Sequence, residues 1–370
     1  MGRKVTILGA GGTGLTLAAV WTLAGHDVLL YDEPDQEGIA ELRRTGHIEA
    51  DFPDGKKIVP APRTALGGEE LADRGRHAEV VVFACTVWRQ ESMIRAILPL
   101  LKDGQTLLFA PGNLGSILFR NLFESYVRTT GTRPHILVGE MEGNWFPCRR
   151  TGHASVIQAT TATARRVAAL PSSDTPELMK SLEGLVETIP CSCVLEATLN
   201  SPNVVIHLAA SLLNLGGAEK KGREFCLFRD GLTPAVHDVV ERMNIEKESV
   251  YAAYGWMPRS PLPLLRDILR GDLSDELKRF VSLQGPDGPQ HRYLREDAMC
   301  GVSLLHELAA LASVPTPVTD ALLTLAGVLH DRDYLSVECG PLRRLGFAGN
   351  TPEDLNVFLS GKGENHASGH

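Results

Sequence analysis

Close to its start the chain reads Val5-Thr6-Ile7-Leu8-Gly9-Ala10-Gly11-Gly12-Thr13-Gly14. An apolar strand signal therefore runs directly into G-x-G-x-x-G, and a helical pattern follows over residues 13–24. In such a loop Gly9 allows the tight turn, Gly11 lets the backbone approach a pyrophosphate, and Gly14 permits close packing of helix on strand. The unpaired N–H groups at the helix start, next to Gly12, attract an anion. The stretch predicts a dinucleotide-binding βαβ unit, although FAD-binding and nucleotide-sensing proteins share the fingerprint.

A second strand signal, residues 28–31, ends at Asp32, which lies 18 residues after Gly14. A carboxylate at this point accepts hydrogen bonds from both ribose hydroxyls of the adenosine half of a dinucleotide. Asp32 therefore joins the glycines as a predicted cofactor-binding residue.

The charges that follow Asp32 bear on the choice between NAD and NADP. Glu33, Asp35 and Glu37 come next, with no arginine close by in the sequence, so a 2′-phosphate is expected to meet like charge. This pattern favours NAD. NADP is not excluded, because Arg43 and Arg44 lie one helix further on.

Strand and helix signals alternate through the first half of the chain, which is typical of a parallel sheet. Strand signals recur at residues 80–84, 106–109 and 136–139, and those at 154–159 and 166–170 predict antiparallel additions. After about residue 196 nearly every pattern is helical. We therefore expect an α/β fold, with a Rossmann-type dinucleotide-binding domain at 1–195 and an all-helical second domain at 196–370. Pro111 and Gly112 follow the 106–109 strand, at the sheet edge where ligands bind.

The helix predicted from Pro202 is apolar nearly all round, yet Asn203 and His207 are spaced i, i+4, and Ser211 and Asn214 extend the same polar stripe. Ser201 is a candidate cap, with Pro202 in the first helical position. A polar stripe on a buried helix needs partners, either inside the protein or in a ligand. From the residues alone, a satisfied core histidine and a catalytic histidine are equally good interpretations of His207.

A second cluster, Arg292-Tyr293-Leu294-Arg295-Glu296-Asp297, runs into the next helical pattern. Asp297 is equally explained as the N-cap of that helix, and Arg292 as a surface charge. The sequence shows no zinc-ligand spacing, no G-x-S-x-G elbow and no Walker loop, so no metal site is predicted.

Together these motifs resemble the opine dehydrogenases, of the octopine and nopaline dehydrogenase type. The resemblance rests on Asn203-Val204-Val205-Ile206-His207, on Arg292-Tyr293-x-x-Glu296-Asp297 and on Val314-Pro315-Thr316-Pro317. It extends over nearly the whole chain, through the Pro111-Gly112 loop, Cys148-Arg149 and Gly231-Leu232-Thr233-Pro234. Length and layout are similar to the bacterial N-(1-carboxyethyl)norvaline dehydrogenase type.

The resemblance implies an NAD(H)-dependent enzyme that reductively condenses an amino acid with a 2-oxo acid, and also runs the reverse oxidation. It implies that His207 is the catalytic acid/base with Asp297 as its carboxylate partner. It also implies that Arg292 and Asn203 bind substrate. The chain departs from the relatives at Leu208 and over residues 140–145, where we expect the amino donor to approach.

Two other functions are open. A 2-oxo acid or ketone reductase of the ketopantoate or glycerol-3-phosphate dehydrogenase type has the same layout but relies on a lysine. The candidate lysines all lie in polar, exposed-looking stretches: Lys220, Lys221, Lys247 and Lys278. A non-catalytic NAD-binding sensor needs the glycines but neither His207 nor Asp297.

Composition narrows the remaining classes. The 370 residues are 43% hydrophobic and 22% charged, an ordinary globular balance. A net charge of −8 argues against a nucleic-acid partner, and no apolar run approaches the roughly 20 residues of a membrane helix. Seven cysteines do not suggest a disulfide framework. We expect a cytoplasmic protein with small-molecule partners, and a homodimer is left open.

Overall fold

The computed structural model describes residues 2–33, 37–336, 340–347, 349 and 351–361. The chain divides into two compact units. The N-terminal unit contains Met1–Leu170 and Asp174–Pro190, and the helical unit contains Pro171–Ser173 and Cys191–His370. The expected border between residues 195 and 196 falls inside Val194–Leu199, the first helix of the helical unit.

A mostly parallel sheet forms the centre of the N-terminal unit. The strands of this unit are β1 Lys4–Leu8, β2 Asp27–Asp32, β3 His47–Phe52, β4 Gly55–Pro60, β5 Arg63–Leu66, β6 Val80–Phe83, β7 Gln105–Phe109, β8 Ile136–Met141, β9 Cys148–Gly152, β10 Ser155–Gln158, β11 Arg165–Ala169 and β12 Thr188–Pro190. Among the described residues, eight of them form the sheet β12-β11-β8-β7-β6-β1-β2-β5. Only the β8–β11 pair is antiparallel within this sheet as described.

Helices connect the strands of this sheet. They are α1 Gly12–Leu23, α2 Glu37–Thr45, α3 Gly68–Arg74, α4 Val87–Ile97, α5 Gly115–Thr130 and α6 Thr175–Ser181. The central strands β6 and β7 are buried at every position. Strands buried on both faces become continuous apolar runs, which is why residues 80–83 and 105–109 gave clear signals. The predicted α/β architecture is confirmed.

A second, smaller sheet differs from the expectation. The segment at 154–159 was expected to extend the main sheet, but β10 instead lies in a separate sheet of order β4-β3-β10-β9. There β10 is parallel to β3 and antiparallel to β9. The segment at 166–170 does join the main sheet, because β11 pairs antiparallel with β8.

The helical unit contains no β-strand within its described residues. Its helices are α7 Val194–Leu199, α8 Asn203–Leu213, α9 Leu215–Lys221, α10 Pro234–Tyr254, α11 Leu262–Arg270, α12 Asp275–Val281, α13 Arg292–Asp297, α14 Ser303–Leu311, α15 Pro317–His330, α16 Pro341–Arg344 and α17 Pro352–Ser360. The buried helix α8 packs against α10, α13 and α15. None of the described helices has the length and apolar character that a membrane crossing requires.

Candidate active site

The glycine-rich loop forms the turn between β1 and α1. Gly9 has φ +111°, a conformation that favours glycine. A Cβ on Gly14 would lie 1.7 Å from the Gly9 carbonyl oxygen, and one on Gly12 would lie 3.1 Å from the backbone nitrogen of Arg150. Gly11 is exposed, and a Cβ there would meet nothing within 4 Å. The loop is therefore packed on its inner side and open at Gly11, which suits the approach of a pyrophosphate.

Asp32 ends β2 next to this loop, and its side chain is only 2% exposed. Its Oδ2 accepts a hydrogen bond from the Ala10 N–H (2.8 Å), and its Oδ1 accepts one from the Glu33 N–H (2.8 Å). Oδ1 also accepts a hydrogen bond from Nη2 of Arg89, and Arg89 Nε donates to Oε2 of Glu33 at 3.3 Å. No arginine is close to these carboxylates in the sequence, but the fold brings one to them. Arg89 comes from α4, 57 positions later in the chain.

The two arginines that the sequence suggested at this point are engaged elsewhere. Arg43 donates from Nε to the Thr64 hydroxyl (3.0 Å) and pairs with Glu70. Arg44 pairs with Glu41 on its own helix at 2.7 Å. Asp35 and the side chain of Glu37 lie outside the described residues.

Pro111 and Gly112 lie at the carboxyl edge of the sheet, as expected, after a cis Ala110–Pro111 bond. A Cβ on Gly112 would lie 2.1 Å from Oε2 of Glu140, so the turn rests on that carboxylate. Glu140 is fully buried and accepts hydrogen bonds from the Leu114 N–H (3.2 Å) and the Ser116 N–H (3.0 Å) at the start of α5. Sequence reasoning missed this anchoring role. The available signal was a carboxylate directly after the apolar strand pattern at 136–139.

The segment 140–145 was expected to face the amino donor, but two of its side chains, Glu140 and Trp145, are buried. Glu140 serves the α5 terminus, and Trp145 is 2% exposed. The Trp145 ring packs edge-on against Trp21, with centroids 5.5 Å apart. Neither side chain presents a surface to a substrate, because both are buried inside the N-terminal unit.

In the helical unit the structure brings His207 and Asp297 together, although 90 positions separate them. Nδ1 of His207 lies 2.7 Å from Oδ2 of Asp297, and the His207 side chain is 7% exposed. Burial raises the pKa of Asp297 above its usual range, and the charge of Arg292 acts in the opposite direction. A carboxylate on Nδ1 fixes the tautomer of the imidazole, so proton exchange with a substrate falls to Nε2.

Tyr293 connects His207 to Arg292. Its ring stacks on the imidazole with a centroid distance of 3.5 Å and an interplanar angle of 19°. The Arg292 Cζ atom lies 5.3 Å from the centre of the same tyrosine ring. Arg292 is half-buried, and it forms no ion pair with any carboxylate in the described parts of the chain. A half-buried guanidinium of this kind is suited to bind the carboxylate of a ligand.

Asp297 is not a helix N-cap, so that alternative is wrong. It has φ −66° and ψ −37°, ends α13, and the chain continues into π-helical Ala298–Val302 without a side-chain cap. The cap of α13 is His291, whose Nδ1 accepts from the Tyr293 N–H at 3.2 Å. The Asp297 carboxylate is therefore directed to His207 rather than to backbone N–H groups.

The expected cap of α8 is also absent. The short helix α7 ends at Leu199, and Pro202 already has right-handed helical angles, so α8 begins at Asn203 without a side-chain cap. Ser201 therefore has no capping role. A cap needs an extended residue before the helix, which this nearly continuous helical path does not provide.

The polar stripe on α8 separates into different environments. Asn214 donates from Nδ2 to the carbonyl oxygens of Ala210 and Gly231, both at 2.9 Å. The Ser211 hydroxyl is buried with no hydrogen-bond partner among the described residues. Asn203 is half-buried, and its side chain forms no hydrogen bond with the part of the chain that the structure describes. Asn203 thus remains a candidate substrate ligand, one helical turn before His207.

The four lysines considered for a reductase mechanism differ in their burial. Lys220, Lys221 and Lys278 are exposed. Lys247 was expected to be exposed, but it is fully buried and donates from Nζ to the Arg259 carbonyl oxygen at 2.8 Å. That expectation failed because the polar neighbours of Lys247 in the sequence concealed its position on the buried face of α10.

One group of metal-ligand type occurs in the described residues, on α10, where His237, Asp238 and Glu241 place ligand atoms within 4.8 Å of one another. The Asp238 side chain is 79% exposed, and Glu241 pairs with Arg266 at 2.7 Å. Asp238 therefore faces solvent and Glu241 is occupied by Arg266, while His237 is buried.

Family models match both halves of the chain. Residues 190–330 match the family described as NAD/NADP octopine/nopaline dehydrogenase, alpha-helical domain. Residues 5–117 match the family described as ketopantoate reductase PanE/ApbA. The first match includes His207, Arg292 and Asp297, and the second includes the glycine-rich loop and Asp32.

Relatives match over nearly the full length. The opine dehydrogenase of Arthrobacter sp. (strain 1C) is 26% identical, covering 94% of this chain and 96% of its own. The vitopine synthase of Allorhizobium ampelinum is 23% identical, covering 97% and 99%. A solved structure of octopine dehydrogenase with NADH and pyruvate superposes with a TM-score of 0.70 at 18% identity and covers all of both chains. The chain is therefore similar to opine dehydrogenases over nearly its full length, and its residues 190–330 match the helical domain of that family.

Proposed function

We propose that this protein is an NAD(H)-dependent opine dehydrogenase that joins an amino acid to a 2-oxo acid by reduction. The observation that carries the proposal is the His207–Asp297 pair beside Arg292, in a chain that also has the dinucleotide loop. The amine and the ketone condense to an imine with loss of water. Addition of a hydride to the imine carbon and a proton to the nitrogen gives an N-(carboxyalkyl)amino acid.

The N-terminal unit fits a dinucleotide on its own geometry. Gly11 is open to a pyrophosphate, and the first turn of α1 offers backbone N–H groups to the anion. Asp32 lies beside the loop with its carboxylate ready to bind ribose hydroxyls. The hydride that reduces the imine is the chemistry that bound NADH supplies. Pro111 and Gly112 line the same edge of the sheet, held in place by Glu140.

The helical unit supplies proton transfer and carboxylate recognition. Nε2 of His207 donates a proton to the carbonyl oxygen as it leaves as water, or to the imine nitrogen as the hydride adds to the imine carbon. In the reverse direction it activates water. Asp297 on Nδ1 stabilises the protonated imidazole. Arg292 binds the carboxylate of the 2-oxo acid through two parallel N–H donors. Asn203 binds substrate from the same face of α8.

The test is NADH oxidation with a panel of 2-oxo acids, namely pyruvate, glyoxylate and 2-oxoglutarate, each with and without added amino acids. We expect turnover only when both substrates are present, because the imine is the species reduced. Equal turnover without an amino acid identifies a ketone or 2-oxo acid reductase, the activity suggested by the match of residues 5–117. Saturable NADH binding with no turnover over the whole panel identifies a sensor.

A further inference from the structure

We propose that Gly301 is a positioning residue, which holds Asp297 at hydrogen-bond distance from His207 by letting two helical segments approach each other closely. The inference rests on the proposed function, because it concerns the same acid/base pair. It goes further because Gly301 carries no functional group of its own and acts only through the geometry of that pair.

Asp297 lies at the junction of α13 with a short π-helix, Ala298–Val302 (the π segment), and α14 follows at Ser303. The Ser303 N–H donates to the carbonyl oxygen of Ala298, five residues earlier, and the Ser303 hydroxyl donates to the same oxygen. A π turn contains more residues than an α turn, so it rotates the side chains that precede it relative to those that follow. The π segment therefore sets the direction of the Asp297 side chain.

The π segment packs against α8 at Gly301. Gly301 is buried, and a Cβ on it would lie 2.9 Å from Cγ2 of Val204, 3.7 Å from its Cβ and 3.9 Å from its Cα. Carbon atoms in ordinary contact are about 3.5–4.0 Å apart. A valine side chain in a helix has one strongly preferred rotamer, so Cγ2 does not turn aside easily. Glycine is therefore required here for the close approach of the two segments.

This glycine contact and the acid/base pair lie one helical turn apart on the same two segments. Asp297 precedes Gly301 by four residues, and His207 follows Val204 by three, so each two positions share a helix face. The order of the contacts is reversed, which means that the two segments run in opposite directions. Two contacts on one interface fix its spacing and its register. The 2.7 Å distance between Nδ1 of His207 and Oδ2 of Asp297 therefore depends on the spacing at Gly301.

A methyl group at position 301 should move the π segment away from α8 by roughly 0.6–1 Å, the difference between the 2.9 Å approach and an ordinary carbon–carbon contact. A similar shift of Asp297 lengthens its hydrogen bond with His207 beyond the usual range for N–H···O. Misplacement of a catalytic group by about 1 Å can cost about 10²-fold in rate.

The first test is steady-state kinetics of Gly301→Ala with an amino acid, a 2-oxo acid and NADH. We expect kcat to fall by about 10- to 100-fold while the KM for NADH is unchanged. Val204→Ala removes the methyl group that the new Cβ would meet, so the double variant Gly301→Ala/Val204→Ala should recover most of the lost kcat. The matched control is Gly217→Ala, an exposed position on α9 where a Cβ meets nothing within 4 Å and kcat should not change.

A double-mutant cycle distinguishes positioning from a general loss of packing. Because Gly301 acts through the Asp297 carboxylate, Gly301→Ala should cost little further kcat in an Asp297→Asn background. The inference is overturned if Gly301→Ala lowers kcat by the same factor in both backgrounds, or if Gly301→Ala keeps the wild-type kcat.

The hydrogen bond itself gives a readout that needs no turnover. The proton of an imidazole N–H bonded to a carboxylate resonates far downfield in the proton NMR spectrum, and its loss in His207→Ala assigns it. We expect this resonance to shift or disappear in Gly301→Ala and to return in Gly301→Ala/Val204→Ala. An unchanged resonance in Gly301→Ala overturns the inference. If the wild-type protein turns over no pair of substrates, the proposed function fails, and the resonance still decides the role of Gly301.

Discussion

The ring of His207 is fixed on one edge by Asp297 and on one face by Tyr293. A histidine that only fills the core needs no more than one hydrogen bond. The His207 ring has a carboxylate on one edge and an aromatic ring on one face, so its orientation is fixed more strictly than core packing requires. This orientation suits a group that must deliver a proton to a defined substrate atom.

Replacement of the histidine tests that role. His207→Ala should lower kcat by about 10²–10⁴ because the proton-transfer group is lost, and Asp297→Asn should lower it in the same direction. The measurement is steady-state kinetics, with circular dichroism to show that the variants fold. The matched control is His306→Gln, since Nδ1 of His306 lies 2.7 Å from Asp320 in the same unit. If His207→Ala keeps most of the turnover while folded, the assigned role is wrong.

Arg292 makes a separate prediction about substrate affinity. Arg292→Gln should raise the KM for the 2-oxo acid by about 10- to 100-fold, because a charge-assisted bidentate contact is lost. The neighbouring Arg295 is exposed on the same helix, and Arg295→Gln should leave KM unchanged. Equal KM values for wild type and Arg292→Gln would contradict the assignment of Arg292 to the substrate carboxylate.

For single residues, the sequence identifies candidates that belong to motifs. It misses residues whose contacts are made with residues far away in the sequence. His207, Arg292 and Asp297 were found by spacing and resemblance, and the structure brings them together on α8 and α13. Arg89 was missed because it reaches Asp32 from another βα unit. A side-chain contact over such a separation has no signal in local pattern.

Among the elements, helices with strong end signals were predicted most closely. The sequence shows helical patterns over residues 234–254 and 317–330, which are the bounds of α10 and α15, and the proline in the first turn of each marks its beginning. The hairpin β3–β4 was missed, because only one residue of Gly55–Pro60 is buried and its apolar pattern is weak. Asp54-Gly55 was the available turn signal. The pairing of β3 with β10 joins segments about a hundred residues apart, which no local pattern reveals.

The start of α5 provides a prediction at the level of an element. Glu140→Gln should lower the free energy of unfolding by about 1–3 kcal/mol, because one carboxylate oxygen becomes an amide that faces the Leu114 N–H or the Ser116 donors. Urea unfolding gives the measurement. The control is Glu124→Gln, which lies on α5 itself. The exposed ion pair between Glu124 and Arg133 contributes little to the free energy of unfolding. Equal destabilisation by both changes would show that Glu140 is not the anchor.

For the molecule as a whole, net charge says little about its ligands. The chain carries −8, while the proposed substrates and cofactors are themselves anionic. Local guanidinium groups must therefore attract them, and Arg292 is the group that we propose for this role in the helical unit. The sequence predicted the two kinds of unit because the apolar residues follow a different spacing in each half. The first half alternates strand and helix patterns, and the second half is helical.

Global stability should depend on pH through Glu307. Burial raises the pKa of Glu307 to about 7. The hydrogen bond from the Leu342 N–H and the charges of Arg344, His306 and Arg343 act in the opposite direction. The folded protein then binds more protons than the unfolded chain between about pH 4.5 and 7, so stability falls as pH rises through this window. Relative to wild type, Glu307→Gln should gain stability over the same window, by at most about 1.4 kcal/mol per pH unit. A constant difference between the two proteins in urea unfolding across the window would contradict this.

The most direct test of the proposed reaction follows the hydride into the product. The enzyme is incubated with an amino acid, a 2-oxo acid and NADH deuterated at the transferred C4 position, and the product is identified by mass spectrometry. The account predicts one molecule formed from both substrates by loss of water and gain of one deuteride and one proton. Its single deuterium lies on the former oxo carbon, which is bonded to the amine nitrogen. A deuterated 2-hydroxy acid beside unchanged amino acid would contradict it.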